Sequence, residues 1–210
     1  MSHSAVASDS EYRHASLTPP ERSESRYAAQ HRLAFVARAE PAISSAVKSI
    51  VGANGCQLAR FETRMKTLNS LDRKVQTRMC RTGADAEVIV QGINDLLRYT
   101  VVVPDSGYWS RGTRIINALI RAGYRPKLLS PGWTRNGYRG RNCTFISPAG
   151  LEFEVQFHTN ASLAAAEETH ADYEVTRDDA TTDERRAELL QRMNQRYALV
   201  PVPDDVLWVD

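Results

Sequence analysis

The stretch EFEVQFHT, residues 152–159, decides how this chain folds. Glu152, Glu154, Gln156 and His158 alternate in it with Phe153, Val155 and Phe157. Successive side chains of a β-strand face opposite ways, so the spacing predicts a strand with an apolar face that anchors it and a polar face that gathers two carboxylates, an amide and an imidazole. A half-buried edge strand with a solvated outer face satisfies the same alternation. The residues upstream separate these readings.

No acidic residue occurs between Asp105 and Glu152, while Arg111, Arg114, Arg121, Arg125, Lys127, Arg135, Arg139 and Arg141 all fall in that interval. A one-signed field of this length suits a polyanionic ligand, although a solvated basic surface has the same composition. Arginine presents a planar fork of donors to phosphate oxygens, and Gly137 and Gly140 let the backbone of the loop NGYRGRN approach a ligand. A basic loop that feeds directly into a carboxylate-bearing strand brings together the two signs that divalent metal and phosphate require.

With 210 residues the chain can build one good-sized core without disulfide or metal support, and its net charge of +2 means that the basic interval is balanced elsewhere, largely between Glu167 and Glu188. Cys56, Cys80 and Cys143 are widely spaced and match no metal-ligand pattern, which implies reduced or incidental thiols. Residues 1–22 read as a disordered polar leader without the apolar run of a signal peptide, and no stretch reaches membrane-spanning length.

Helical spacing runs from Ser23 to Ile50, with Pro41 expected to interrupt it. A weak strand is expected over 57–66, then a helix from Ser70 to Arg81 ended by Gly83, a strand over 93–103, a helix from Ser110 to Ala122, and a short strand from Lys127 to Ser130. Residues 143–147 and 151–158 form a hairpin across Pro148-Ala149-Gly150; helices follow at 160–178 and 182–196, and a tail over 199–210. This order is α/β, or α+β, in a single domain over residues 23–198.

Several motifs carry chemistry. RMKTLNSLDRK holds Arg64, Lys66, Ser70 and Lys74, a basic strand end leading into a helix start, where free N–H groups attract phosphate. Asp95 follows in INDLLRYTVVV, Tyr138 in the basic loop, Glu154 in the second hairpin strand, and then EETHADYE. Taken in this order, the series resembles the synthetase domain of the RelA/SpoT family of nucleotide pyrophosphokinases, over about residues 60–177, and DLLRYT, GYRGRN and FEVQFHT are closest to its short, toxin-like branch. No signature of the family's HD hydrolase is present.

The resemblance implies a nucleotidyltransferase-like mixed sheet of about five strands flanked by helices. It also implies that Arg64, Lys66, Ser70, Lys74 and Arg98 bind ATP, and that Asp95 and Glu154 are catalytic and hold Mg²⁺, with Glu154 as base. Asn136, Tyr138, Arg139, Arg141, Gln156 and His158 would line the acceptor side, with Tyr138 stacking on a base, and Glu167 and His170 would support the site. Taken alone, His158 reads equally as a hydrogen-bonded structural imidazole, and Glu167, His170, Glu174 and Arg177 as an ordinary ion-paired helical stripe. Thr100 and Asn142 depart from the arginine and histidine usual in the family, which bears on the acceptor more than on the proposed metal pair.

Three functions stay open on this reading. One is transfer of the β,γ-pyrophosphate of ATP to the 3′-hydroxyl of a purine nucleotide by a growth-inhibiting toxin or antibacterial effector. The second is the same transfer to an RNA hydroxyl such as a tRNA 3′ end, and the third is a catalytically inactive nucleotide-binding module. The resemblance implies a cytoplasmic site of action, delivery as part of a longer effector as one route to it, and an immunity or antitoxin partner.

Overall fold

A computed structural model describes residues 17–178 and 180–209. Most of the expected leader lies outside the described residues, but its last part is helical. Helix α1 spans Pro19–Ala53. Thr18 and Glu21 begin it reciprocally: the Thr18 backbone N–H donates to the Glu21 carboxylate at 2.6 Å, and Glu21 N–H donates to Thr18 Oγ1 at 3.5 Å. Proline suits the first helical turn, because its missing N–H would have had no partner there.

Pro41 lies inside α1 and does not interrupt it, contrary to expectation. The reason is burial. Val36, Glu40, Ile43, Ser44, Val47 and Val51 are all buried at helical spacing. Each buried valine or isoleucine contributes about 1.5–3 kcal/mol, enough together to offset the ~3 kcal/mol of an internal proline.

The described chain forms two compact units. The first takes residues up to Arg32 and Thr67–Gly92. It contains α2 (Leu68–Thr82) and α3 (Ala86–Gln91). Thr67 caps α2, with Ser70 in its first turn, and Gly83 ends it in the left-handed region at φ 67°. Within this unit Ser25 Oγ donates to Asp72 Oδ1 at 2.5 Å.

The second unit takes Leu33–Lys66 and Ile93–Asp210, and it contains the five-stranded sheet. Its strands are β1 (Gln57–Ala59), β2 (Arg98–Val102), β3 (Arg125–Leu129), β5 (Arg141–Ile146) and β6 (Glu152–His158), in the order β1-β2-β6-β5-β3. β2 and β6 run parallel and the other neighbours antiparallel, giving the expected mixed sheet flanked by helices. β6 is therefore central and not an edge strand. Phe153, Val155 and Phe157 are no more than 1% exposed, whereas Glu152, Glu154 and Gln156 are half-buried. Helix α4 (Tyr108–Arg121) lies on the apolar face: a Cβ on its Gly112 would stand 3.6 Å from Phe157, and the Tyr108 hydroxyl donates to Phe157 O at 2.8 Å.

Other features also depart from the expected elements: the strand expected over 93–103 begins only at Arg98, and helix α3 was not foreseen. The region 160–178 is two helices, α5 (Asn160–Glu168) and α6 (His170–Thr176), ahead of α7 (Asp183–Ala198). The strand expected over 57–66 stops at Ala59, followed by a 3₁₀ turn over Phe61–Thr63 and a single bridge from Met65 to Leu97. The tail is not loose within the second unit, for β7 (Trp208–Val209) pairs in parallel with β4 (Trp133–Thr134). Asp205 also accepts from the backbone N–H groups of Trp109 and Ser110 at 2.8 and 2.9 Å, so a carboxylate meets the N-terminus of α4.

The β4–β7 pairing depends on Gly132, where a Cβ would overlap the Leu207 carbonyl oxygen. Gly132→Ala is expected to part these strands at a cost of about 1–3 kcal/mol. Thermal unfolding read by tryptophan fluorescence should show a Tm lowered by about 2–10 °C and a red-shifted folded-state emission.

Candidate active site

Register places the functional side chains. On β6 the polar face carries Glu154, Gln156 and His158; their partners on β2 are Arg98, Thr100 and Val102, and β5 sets Thr144 beside Glu154 and Asn142 beside Gln156. Two rows result, Arg98–Glu154–Thr144 and Thr100–Gln156–Asn142. The first is charged. The second is neutral and polar.

Asp95 reaches the charged row through the backbone. The Glu154 N–H donates to Leu97 O at 2.9 Å, two residues beyond Asp95, and the Lys66 N–H donates to Leu96 O at 2.9 Å. Lys66 Nζ meets Asp95 Oδ2 at 3.0 Å. The Lys66–Asp95 ion pair is thus tied, through backbone hydrogen bonds at Leu96 and Leu97, to the end of β2 and β6 where Arg98 and Glu154 stand in register.

Arg64 lies beside them in chain order, since its carbonyl accepts from Arg98 N–H at 2.8 Å. Its guanidinium carbon stands 4.0 Å from the centre of the Phe61 ring, and Nε donates to Glu40 Oε1 at 2.6 Å. Glu40 is buried, and the hydrogen bond from Arg64 holds its carboxyl below the usual range. Glu40 also accepts from Ser44, whose hydroxyl contacts Tyr99 Oη at 2.8 Å. Sequence reasoning missed Glu40. Its helical position next to Pro41 carries no mark of a partner 24 residues away.

Ser70 and Lys74 belong to the other unit. Ser70 lies in the first turn of α2, its N–H donating to Thr67 Oγ1 at 3.3 Å, and Lys74 follows one turn later, half-buried. The four-residue series that was expected to bind ATP is thus divided between the two units.

The basic loop differs most from expectation. Arg141 pairs in register with Phe157, so it occupies the apolar face, opposite Glu154 and Gln156. Its guanidinium lies 3.9 Å from the Trp109 ring centre, and Nη1 donates to Thr113 Oγ1 at 3.1 Å. Arg139 is buried too, 4.4 Å from the Trp208 ring, donating to the carbonyls of Thr134 and Arg135. Expected to contact substrate, both instead order the loop through aromatic and carbonyl contacts. Burial lowers the basicity of both guanidiniums. Asn136 is exposed in the turn between β4 and Tyr138.

Tyr138 turns toward the sheet. Its hydroxyl meets His158 Nε2 at 2.8 Å and Asn142 Oδ1 at 3.0 Å, and its ring meets those of His158 and Tyr197 edge to face. Gly140 lies directly against the ring, for a Cβ there would stand 2.6 Å from Cζ and Oη. His158 is 1% exposed, and its Nδ1 contacts Ser162 Oγ at 3.0 Å. Burial first, then Arg60 and Arg98, push its pKa down to about 4. This is the hydrogen-bonded imidazole that the residue alone allowed.

The expected stripe on the trailing helix does not form, because α5 ends at Glu168 and His170 opens α6, exposed. Glu167 instead accepts from Arg60 Nε at 2.9 Å. Arg60 was also missed: it is a non-glycine residue in the left-handed region, at φ 55°, which no side-chain pattern announces.

Asp95 and Glu154 are hard oxygen donors, and among the described residues no group of three or more metal-binding side chains occurs. That donor set fits Mg²⁺, which binds through one or two carboxylates and completes its shell with water and substrate phosphates.

No family model matches this sequence, and no curated protein matches it. Its fold is similar to that of the Type VI effector Tas1, solved in complex with its immunity protein, with TM-score 0.54 at 18% identity over 88% of this chain and 98% of that one. It is similar also to the small alarmone synthetase 2 from Bacillus subtilis, with TM-score 0.54 at 16% identity over 80% and 91% of the two chains. The small alarmone synthetase 1 from that organism gives TM-score 0.52 at 13% identity over 79% and 90%. At these identities the likeness is one of fold.

His158 gives a test by pH. Its folded pKa of about 4 lies below the model-peptide value of 6.5, so between these values the unfolded chain binds the proton more tightly. The contribution is complete above pH 6.5 and is lost as pH falls toward 4, a change of about 3 kcal/mol. Denaturant titrations across that window should show the loss in the parent protein and a shallower slope in His158→Gln.

Proposed function

We propose that this chain is an ATP:nucleotide pyrophosphokinase that moves the β,γ-pyrophosphate of ATP to the 3′-hydroxyl of a purine nucleotide. The observation that carries this reading is the Lys66–Asp95 ion pair tied through the backbone to the strand ends where Arg98 and Glu154 stand in register, beside a row that is neutral and polar. The fold shared with alarmone synthetases supports it.

In the proposed reaction the donor triphosphate lies over the charged row, where Lys66 and Arg98 meet its oxygens and Arg64, backed by Phe61 and Glu40, offers a cationic surface to the base. Asp95 and Glu154 would hold Mg²⁺, which when bound neutralises phosphate charge and orients the triphosphate. The acceptor lies toward Gln156 and Asn142. Glu154 takes the proton of the 3′-hydroxyl as that oxygen bonds to the β-phosphorus; the bond from the β-phosphorus to the α,β-bridging oxygen breaks, and AMP leaves with its electrons.

The likeness to an effector solved with an immunity protein supports a toxin role, in which such an enzyme acts in the cytoplasm of a target cell, drains its ATP and is restrained by a dedicated binding protein. Among the described residues no helix is long and apolar enough to cross a membrane.

The protein should be incubated with Mg²⁺ and ATP labelled on the γ-phosphate, alone or with ADP, GDP, GTP or tRNA. Label should pass to a purine nucleotide with release of AMP, and Glu154→Gln should lower the rate by about 10²–10⁴-fold while the fold and much of the nucleotide affinity remain. Label on tRNA alone would make RNA the acceptor. No transfer to any acceptor would favour a nucleotide-binding module.

A further inference from the structure

Ser162, His158, Tyr138 and Asn142 form one unbroken hydrogen-bonded series. Ser162 Oγ lies 3.0 Å from His158 Nδ1, His158 Nε2 lies 2.8 Å from Tyr138 Oη, and Tyr138 Oη lies 3.0 Å from Asn142 Oδ1. Donor chemistry sets its direction. Asn142 Oδ1 carries only lone pairs, so the Tyr138 hydroxyl donates to it. The Tyr138 oxygen then accepts, and the donor facing it is His158 Nε2–H. A buried neutral imidazole has one ring proton, which leaves Nδ1 bare to accept from Ser162 Oγ–H. Ser162 is itself fixed by the Thr159 N–H at 2.9 Å, within the capping box that starts α5. The reversed series would put the histidine proton on Nδ1 and turn Ser162 Oγ–H to the Thr159 carbonyl, which stands farther off at 3.3 Å.

The consequence appears at the far end. With its carbonyl oxygen held by Tyr138, the Asn142 amide turns both N–H donors away from that hydroxyl. Asn142 is half-buried and stands in register beside Gln156, one row from the catalytic carboxylate proposed above. We infer that His158 and Tyr138 are positioning residues that hold the Asn142 amide as a two-donor contact for a lone-pair-bearing group on the nucleotide that receives the pyrophosphate. The acceptor role rests on the proposed transfer reaction, whereas the orientation of the amide does not.

Nitrogen-15 NMR of the full labelled chain at neutral pH tests the direction, because the two neutral tautomers have distinct ring shifts. His158 should be the Nε2–H tautomer; the Nδ1–H tautomer would overturn the inference. ADP and GDP are then titrated as probes, with a non-hydrolysable ATP analogue as the control. Binding of a probe should shift the Asn142 side-chain amide. Asn142→Asp keeps the hydrogen bond from Tyr138 but presents oxygens in place of donors, and should raise the probe Kd about tenfold or more. Tyr138→Phe should raise it about threefold to tenfold, and neither change should alter affinity for the ATP analogue by more than about twofold. Unchanged probe affinity in Asn142→Asp, or no binding of either probe by the parent protein, would overturn the assignment. A parent protein that binds a probe with these dependences but transfers no pyrophosphate would contradict the proposed reaction and leave the amide contact standing.

Discussion

Phe153, Val155 and Phe157 bury one side of β6 completely, and the site on its other side depends on that burial. A strand with a side-chain period of two cannot slip by one residue without turning its entire apolar set outward. Three buried side chains at about 1.5–3 kcal/mol each oppose such a slip. Because β6 is central, its register is transmitted in both directions, to Arg98 and Thr100 on β2 and to Thr144 and Asn142 on β5. The geometry of the polar face is therefore a consequence of packing on the opposite face.

The same parity explains what could be read from residues alone. Alternation in 152–158 announced the strand and its two faces, and Gly83 announced the end of α2. The inward turn of Arg141 was legible in principle: Asn142 is its chain neighbour, so only one of the two can share a face with Gln156. Charge pattern concealed this, because a run of like charges says nothing about which side of a strand each member takes. The pairing of β4 with β7 left no local trace, as two-residue strands have no period. Pro41 misled because propensity is local, whereas the burial that overrides it is not.

Electrostatics divides the polar face into two halves. One row sets the Glu154 carboxylate beside the Arg98 cation, the pairing of signs that phosphate chemistry with a divalent ion uses, and the adjoining row is neutral and amide-bearing. The buried arginines of the loop act as scaffolding, stacked on Trp109 and Trp208, so the basic interval contributes order as well as field. His158 belongs with this scaffold: kept neutral by burial, it serves as a fixed hydrogen-bonding group at physiological pH.

The central claim is that the Glu154 face of β6 is where the nucleotide donor is held. A crystal structure of the protein grown with Mg²⁺ and α,β-methylene-ATP tests it most directly. The account predicts a metal ion ligated by Asp95 and Glu154 and a triphosphate lying over Lys66 and Arg98. A nucleotide bound on the α4 face of the sheet, or a metal–triphosphate complex that touches neither carboxylate, would contradict it.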